Sequence, residues 1–247
     1  MSAHPSNRAK EDQLLMGLIR AILRDDRREV TNSLAGSASL AREGIRVGAT
    51  QEIKGEFFFE EIRHYLYAGD TPLHAAAAAY RVEIARDLIK HGANVKATNR
   101  RGAQPLHYAA DGSPGSCHWN PKAQADMIAL LIQAGTDPNA FDKSGVAPLH
   151  RAVRQRCASA VDLLLRHGSS VRLKSKNGST PLHLAVQNTG RGDTGSAESK
   201  ALQKEIIGLL LNAGAKLQDR NARGKTVPQS VQGDWILGVL QPRGSLF

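Results

Sequence analysis

The sequence is poor in the residues that stabilise secreted and membrane-spanning proteins. Its 247 residues include two cysteines, too few for a disulfide-stapled scaffold, so we expect a reducing compartment, the cytoplasm. No apolar run approaches the roughly 20 residues that a membrane helix needs, and the polar first residues do not resemble a secretory signal. Only 4% of the residues are aromatic. We therefore predict no membrane association.

Positive charge is what the chain has in excess. Lysine and arginine total 33 against 23 acidic residues, which gives a formal net charge of +10. Such a balance favours an acidic partner, either a protein surface or a nucleic acid. Charged residues at 23% and hydrophobic residues at 41% fit a folded chain rather than a disordered one.

One tetrapeptide recurs along the chain. Its copies begin at Thr71, Gln104, Ala147 and Thr180, and each continues with Pro-Leu-His. The starts are separated by 33, 43 and 33 residues, so the second unit carries an insertion of ten residues. A weaker start at Thr226 implies a second insertion in the fourth unit. Apolar residues at helical spacing and then a glycine follow each copy, which predicts a short helix, a turn and a longer amphipathic helix.

The period and the tetrapeptide together resemble the ankyrin repeat. The resemblance covers residues 71–225 and implies an all-α, ankyrin-type helical solenoid of helix–turn–helix units joined by hairpin loops. It divides that stretch into four repeats, at residues 71–103, 104–146, 147–179 and 180–225. The pairs Tyr80–Arg81 and Arg156–Cys157 depart from the family pattern, which has a Gly-His turn there.

The two ends of the chain are expected to close the stack of repeats. Residues 13–70 are predicted to form a helical N-terminal cap, with helices at 13–24 and 27–40 and an aromatic-rich helix at 52–65. Residues 1–12 are expected to be disordered. Residues 226–247 are predicted to form the C-terminal cap and tail, in which the stack is closed by Trp235, Ile236, Leu237, Val239 and Leu240.

Aromatic residues are concentrated just before the first clear repeat. Five of the eleven in the chain are Phe57, Phe58, Phe59, Tyr65 and Tyr67. Two interpretations stay open for this cluster. It either packs as core between the cap and the first repeat, or it forms an exposed anchor for a partner, since aromatic side chains dominate interface energetics.

Each repeat contains one histidine in its tetrapeptide. These are His74, His107, His150 and His183. A zinc site needs all its ligands about 2 Å from one ion, whereas equivalent positions on packed helices lie about 10 Å apart. The resemblance implies instead that these side chains make hydrogen bonds between neighbouring repeats. We predict no metal and no other cofactor.

A catalytic centre is not evident in the sequence. Cys117 and His118 are adjacent, but neighbouring side chains point in different directions and no third residue is identified to orient the pair. We therefore predict that the chain is not an enzyme and has no small-molecule substrate.

Basic residues mark the predicted partner surface, at the hairpin tips and on the inner helix of the third repeat. They are Arg100, Arg101, Lys143, Arg151, Arg154, Arg156, Lys174, Lys176, Arg220, Arg223 and Lys225. The resemblance implies that tips and inner helices form the concave face that the family uses for partners. We predict a non-catalytic protein-interaction scaffold or adaptor whose basic concave face binds an acidic protein. The alternatives are association with nucleic acid through the same face, and a regulatory or inhibitory subunit of an enzyme.

The two insertions suggest a second surface. Both enter the turn between the two helices of a repeat, at residues 113–122 and 189–200, and insertions in repeat proteins often map to a functional face. We predict a loop edge for recognition that includes His118, Trp119 and Arg191.

Overall fold

Helices are the main secondary structure of this chain. The computed structural model describes residues 5–114, 116, 119–187, 195–231 and 233–240. In chain order the elements are α1 (Pro5–Leu23), α2 (Arg27–Gly36), 3₁₀ turns at Ala38–Ala41 and Lys54–Phe57, β1 (Phe58–Phe59), β2 (His64–Tyr65), α3 (Pro72–Ala78), α4 (Val82–Lys90), α5 (Pro105–Ala110), α6 (Pro121–Gln133), α7 (Pro148–Arg154), α8 (Ala158–Arg166), α9 (Pro181–Ala185), α10 (Ala197–Asn212), a 3₁₀ turn at Pro228–Ser230 and α11 (Asp234–Leu240).

The chain divides into two compact units. The N-terminal unit comprises Met1–Ala109 and Lys122–Asp137, and the C-terminal unit comprises Ala110–Pro121 and Pro138–Phe247. In the N-terminal unit α1 packs on α2 and α3, and α4 packs on α2 and α3. In the C-terminal unit α7 packs on α8 and α9, and α10 packs on α8, α9 and α11. Consecutive helix pairs therefore bury their apolar faces against one another, as the repeat pattern predicts.

The leucine of each tetrapeptide occupies an equivalent core position. Leu73, Leu106, Leu149 and Leu182 are all 0% exposed. Each follows a proline in the first turn of a short helix, where the missing N–H of proline is not needed. The predicted helix pairs are confirmed, and the leucine of each tetrapeptide is buried in the core of its own unit.

His74, His150 and His183 make the structural hydrogen bonds predicted for the repeat histidines. Nδ1 of His74 accepts the backbone N–H of Thr71 at 3.1 Å, so Nε2 carries the proton and donates to the carbonyl of Ala103 in the next hairpin at 3.1 Å. The same two bonds are made by His150 with Ala147 and Ser179, and by His183 with Thr180 and Lys225. The histidine therefore caps the helix whether the first residue is threonine or alanine.

These buried histidines predict a loss of stability in mild acid. Burial, the largest cause, lowers the pKa of both His150 and His183 in the folded chain. As the pH falls below about 6.5, the unfolded chain takes up protons that the folded chain does not, so the free energy of unfolding decreases. We expect the urea midpoint to be constant above about pH 7 and to fall between about pH 6.5 and 5.5. A midpoint that is unchanged across that window would contradict this account.

The first and third repeats, which carry no insertion, end their first helix with a residue in the left-handed conformation. Tyr80 and Arg156 have φ of +54° and +59° at the position where the family pattern has glycine. This turn directs the next backbone N–H, that of Arg81, to the carbonyl of Ala76 at 2.9 Å. Cys157 donates to Ala152 in the same way, also at 2.9 Å. An otherwise unpaired helix-end carbonyl is thereby satisfied.

A glutamine replaces that turn in the two repeats that carry insertions. The equivalent carbonyls, of Ala109 and Ala185, accept from the side-chain amides of Gln124 at 3.0 Å and Gln203 at 2.7 Å. Both glutamines are buried. They lie on the second helix of their repeat, α6 or α10, which is longer than the second helix of a repeat without an insertion, α4 or α8. The insertion thus lengthens the outer helix, and one buried side chain supplies the donor that the backbone turn no longer provides.

Replacing Gln124 by leucine is expected to lower the free energy of unfolding by about 1–3 kcal/mol. The substitution leaves the buried carbonyl of Ala109 without that donor, and an unpaired buried acceptor costs about this much. Chemical denaturation measures the loss. The control is Gln133→Leu, at an exposed position at the end of the same helix, which should change stability by less than about 0.5 kcal/mol. Equal effects at the two positions would show that the buried bond is unimportant.

The predicted aromatic-rich helix at 52–65 is wrong. The segment forms a 3₁₀ turn and an antiparallel pair of two-residue strands in which Phe58 lies opposite Tyr65, with ring centroids 4.9 Å apart. The following residues bond to distant backbone, since Leu66 accepts the N–H of Ala49 at 2.8 Å. At Gly48 an added Cβ would lie 2.3 Å from the backbone of residues 67–68.

The ends of the chain also differ in part from the prediction. The first helix begins at Pro5, so residues 5–12, predicted to be disordered, are helical. Arg46 holds this first stretch through Glu11 at 2.8 Å and Asp12 at 3.4 Å. The second helix ends at Gly36 rather than residue 40 and continues as a 3₁₀ turn. In α11, Ile236 and Leu240 are buried whereas Leu237 is 41% exposed, so Leu237 does not close the core.

Candidate partner-binding surface

Three hairpin tips in the C-terminal unit are built in a similar way. In two of them a side-chain oxygen accepts two backbone N–H groups across the turn. Asp142 accepts from Ser144 at 2.8 Å and Val146 at 3.0 Å. Asn221 does the same with Arg223 and Lys225, at 2.9 and 3.2 Å. A glycine with positive φ follows in each of the three tips, at residues 145, 178 and 224, and allows the chain to reverse.

Neighbouring tips touch through their backbones. The N–H of Lys176 donates to the carbonyl of Ser144 at 3.1 Å, and the N–H of Ala222 donates to that of Asn177 at 3.1 Å. The approach is close enough that a Cβ on Gly178 would lie 2.3 Å from the nitrogen of Ala222. Residues 142–146, 174–179 and 220–225 therefore form one continuous surface, which we call the tip row.

The tip row carries exposed positive charge. Its exposed basic residues are Lys143, Lys174, Lys176, Arg220, Arg223 and Lys225. The Nζ of Lys174 donates to the carbonyl of Arg220 at 3.1 Å, and Nη1 of Arg220 donates to that of Gly224 at 2.7 Å. These acceptors are neutral, so the side chains are held in place with their charges intact. Six of the eleven residues predicted for the partner surface are thus brought together.

Arg151 is not part of this exposed charge, contrary to the prediction. Its side chain is 15% exposed and pairs with Asp111 at 2.7 Å and with Asp142 at 3.4 Å. Two carboxylates balance the guanidinium, and Asp142 also holds the turn of its own tip. Arg151 therefore fastens the tip to α7 and presents little charge to a partner.

Arg154 and Arg156 lie away from the tip row. Helix α7 starts just after the first tip and ends at Arg154, about 10 Å along its axis at 1.5 Å per residue. Both arginines line a cavity of about 170 Å³ with Gln187 and Gln203. The prediction placed both arginines at the inner helix and joined that helix to the tips as one concave face, and their part in a partner surface stays a prediction.

Arg100 and Arg101 belong to the N-terminal unit and contact one aromatic ring. Their guanidinium carbons lie 5.4 and 4.4 Å from the ring centroid of Tyr67. Arg101 also donates to the hydroxyl of Tyr67 at 3.2 Å, and Arg100 donates to the carbonyl of Ala49. Both side chains thus hold the ring of Tyr67 within the N-terminal unit. Their place in a partner surface stays a prediction.

The aromatic cluster is neither fully core nor fully exposed. The side chains of residues 57–59, 65 and 67 are all half-buried. The neighbouring Tyr108, by contrast, is 1% exposed and packs against His64, with tilted rings whose centroids lie 4.8 Å apart. Both interpretations of the cluster therefore stay open.

The predicted loop edge falls largely outside what the structure describes. His118 and Arg191 both lie outside the described residues, whereas Trp119 is half-buried. The insertions do enter the turns between helices, as predicted. However, α6 begins at Pro121 and α10 at Ala197, so the last residues of both predicted loops are first turns of helices.

Sequence reasoning missed the residues that act through distant partners. Gln203 and Gln124 carry no periodic signal, because a single buried amide in an apolar stripe resembles an ordinary polar substitution. Tyr67 was assigned to an aromatic cluster, with no signal that two arginines would cover it. In residues 5–114, 116, 119–187, 195–231 and 233–240, no group of three or more histidine, cysteine or acidic side chains is placed to hold a metal. Nor does any helix of those residues have the length and apolarity to cross a membrane.

Comparison with known proteins identifies the same kind of repeat in this chain. A family model described as ankyrin repeats, in three copies, matches residues 45–119 and 116–221. The E3 ubiquitin-protein ligase KEG of Arabidopsis thaliana is 39% identical over 88 residues, 36% of this chain and 5% of that protein. NF-kappa-B inhibitor delta of Mus musculus is 32% identical over 116 residues, 46% of this chain and 32% of that protein. Cyclin-dependent kinase 4 inhibitor B of Mus musculus is 33% identical over 89 residues, 36% of this chain and 60% of that protein.

Each of these relatives is matched over only part of its length. The chain spans less than two thirds of each of the three, so the similarity carries the repeat fold and not the activity of the whole relative. The matched family model, in contrast, covers more than half of this chain. Ankyrin repeats bind other proteins and are generally not catalytic. The chain has an all-α ankyrin repeat fold and belongs to the ankyrin repeat family.

Proposed function

We propose that the chain is a non-catalytic binding module that holds an acidic protein surface against the tip row. The observation that carries the proposal is the backbone contact between neighbouring tips, which fixes six exposed basic side chains on one surface. A preformed surface loses little conformational entropy on binding. A row of like charges also speeds the encounter with an oppositely charged partner.

The same proposal extends to how and where the module acts. Two of the relatives are inhibitors by name, and a rigid module of this kind acts on a partner by occupying its surface. We therefore include a regulatory or inhibitory subunit as a form of this function. A reducing compartment such as the cytoplasm fits a chain that has only two cysteines.

Charge reversal on the tip row is expected to slow association with an acidic peptide about tenfold, the low end of the range for electrostatic steering. The variant is Lys143→Glu with Lys176→Glu, two exposed residues on tips that touch each other. Stopped-flow fluorescence with a labelled peptide rich in aspartate and glutamate, at several salt concentrations, gives the rate and its salt dependence. The variant should show both a lower rate and a flatter salt dependence.

The control variant keeps the net charge of the tip variant. Arg166→Glu with Lys204→Glu changes two exposed positions on the outer helices α8 and α10. We expect it to slow association less than about twofold, since its charges lie off the proposed surface. Equal slowing by both variants would mean that only net charge matters and would overturn the proposal.

The competing function is nucleic-acid binding through the same charge. A DNA duplex in place of the peptide tests it, because phosphate contacts give a steep fall in affinity with salt. The residues of the tip row include no aromatic side chain that stacks on a base. We expect weak duplex binding, and tight binding of the duplex with none of the peptide would favour nucleic acid.

A further inference from the structure

The hairpin tips hold their turns with the side chain at one repeat position. Five residues before each tetrapeptide, Asn99, Asp142 and Asn221 each accept two backbone N–H groups across the turn. Ser175 occupies the equivalent position in the remaining tip. Asp142 is therefore the one residue at this position that carries a charge, and it places a carboxylate within the tip row. A negative charge there works against the binding of an acidic partner.

In three tips the turn residue also bonds to the side chain nine positions further along the chain. The pairs are Asn99 with Tyr108 at 3.0 Å, Asn221 with Ser230 at 3.5 Å and Asp142 with Arg151 at 3.4 Å. In the first two pairs an amide N–H donates to a hydroxyl, whereas in the third a guanidinium donates to a carboxylate. The repeat geometry thus brings the same two positions together, and the charged turn residue meets a partner of opposite charge.

Arg151 is shared between two carboxylates. Its Nη2 donates to Asp142 at 3.4 Å, and its Nη1 donates to Asp111, just before the first insertion, at 2.7 Å. The side chains of Asp142, Arg151 and Asp111 are 8, 15 and 19% exposed, so salt screens these pairs less than it screens an exposed pair. Together the three groups have a net charge of −1. Without Arg151 that charge becomes −2, and the carboxylate of Asp142 is left uncompensated within the tip row.

We infer that Arg151 determines how strongly the tip row attracts an acidic partner, by cancelling the charge of Asp142. Arg151 is a positioning residue, since it presents little charge of its own and acts through the turn residue of the first tip. Asp111 acts one step further away, because it competes with Asp142 for the same guanidinium. The inference rests on the proposed function and extends it to residues behind the tip row.

Replacing Arg151 by methionine is expected to slow association with the labelled acidic peptide about threefold at low salt, as one uncompensated negative charge close to the surface does. The slowing should shrink as salt is added. The control is Arg166→Met, which removes the same charge from an exposed pair with Asp162 on α8 and should change the rate less than about 1.5-fold. Equal slowing by the two variants would overturn the inference.

A second substitution separates a charge effect from a structural one. Asp142→Asn in the Arg151→Met background restores the net charge, and asparagine still holds the turn, as Asn99 and Asn221 do in their own tips. The association rate should return to within about 1.5-fold of the parent. A rate that stays at that of Arg151→Met would show that the arginine only supports the fold, and would contradict the inference.

Asp111→Asn tests the inference in the opposite direction and leaves Arg151 in place. With one carboxylate removed, the guanidinium compensates Asp142 fully, so association should become about twofold faster. This variant gives the result even if Arg151→Met does not fold, which circular dichroism shows. A slower or unchanged rate for Asp111→Asn would overturn the inference.

Amide signals report the link to the tip without any peptide. In the ¹⁵N-labelled full chain, Arg151→Met should shift the amides of Ser144 and Val146, which donate to Asp142. The equivalent tip at residues 220–225 holds its turn with an uncharged amide, so its amides should stay in place. Unchanged signals at the first tip would contradict the link.

The tip variant Lys143→Glu with Lys176→Glu, measured beside Arg151→Met, separates failure of the inference from failure of the proposed function. If the tip variant slows association and Arg151→Met does not, the inference fails and the proposed function stands. If neither variant slows association, the proposed function fails. If both slow it and Asp142→Asn restores the rate, both stand.

Discussion

Replacing Asp70 by alanine is expected to lower the free energy of unfolding by about 3–5 kcal/mol, the loss typical of breaking a buried charged network. Asp70 is 0% exposed. Its carboxylate accepts from the backbone N–H of Tyr67 at 2.6 Å, the amide of Asn99 at 2.9 Å and the hydroxyl of Tyr108 at 2.7 Å. Alanine would strip this acceptor from three donors and open a polar cavity in the N-terminal unit.

Urea denaturation followed by circular dichroism measures this loss. The control is Asp126→Ala, in the same unit, which removes an exposed pair with Lys122 on α6. Exposed pairs of this kind contribute about 0–1 kcal/mol, so the control should remain near the parent. Asp70→Asn keeps the shape and should recover part of the stability, since its amide oxygen still accepts. A small effect of Asp70→Ala, similar to that of the control, would show that the hydrogen bonds of Asp70 do not stabilise the N-terminal unit.

Alanine at Gly178 is expected to disrupt the tip row, and alanine at Gly224 is not. Both glycines have a left-handed backbone, with φ of +70° and +72°, so both substitutions cost about 1–2 kcal/mol in backbone strain. At Gly178 the new Cβ would lie 2.3 Å from the nitrogen of Ala222, whereas at Gly224 no atom lies within 4 Å. The clash forces neighbouring tips apart and adds about 1–3 kcal/mol.

The two glycine variants also connect the fold to binding. If the proposed surface depends on tip contact, Gly178→Ala should weaken acidic-peptide binding, whereas Gly224→Ala should keep it. Denaturation and peptide titration on the same two proteins give both results. If the two variants lost the same stability, the close contact at Gly178 would be contradicted. If they bound the peptide equally well, binding would not depend on the contact between tips.

The repeats were predictable because their signals are local and periodic. The buried Leu73 and its three counterparts are set by a tetrapeptide, and the histidine bonds follow from the same motif. The segment at 52–65 was not predictable in this way. Its strands pair through Phe58 and Tyr65, and the residues that follow, 66–70, bond to the backbone of residues 45–49, and none of these contacts has a sequence period. The spacing that suggests one face of a helix also allows Phe58 and Tyr65 to lie opposite each other on two short strands.

The candidate surface was predictable in charge and only partly in geometry. The tip residues follow from the repeat register, so Lys143, Lys176 and Arg223 were placed correctly on neighbouring hairpin tips. Arg151 was not, because its two carboxylate partners lie 9 and 40 positions away in sequence. Charge counts do not distinguish an arginine that a partner can reach from one that the fold itself neutralises.

A peptide titration followed by ¹⁵N NMR tests the central claim most directly. The claim is that an acidic protein segment binds where neighbouring hairpin tips of the C-terminal unit meet. With a peptide rich in aspartate and glutamate, we expect the largest amide shifts at residues 142–146, 174–179 and 220–225. Amides of α4 and α8 should move little. Shifts spread evenly over all basic residues, or centred elsewhere in the chain, would contradict the account.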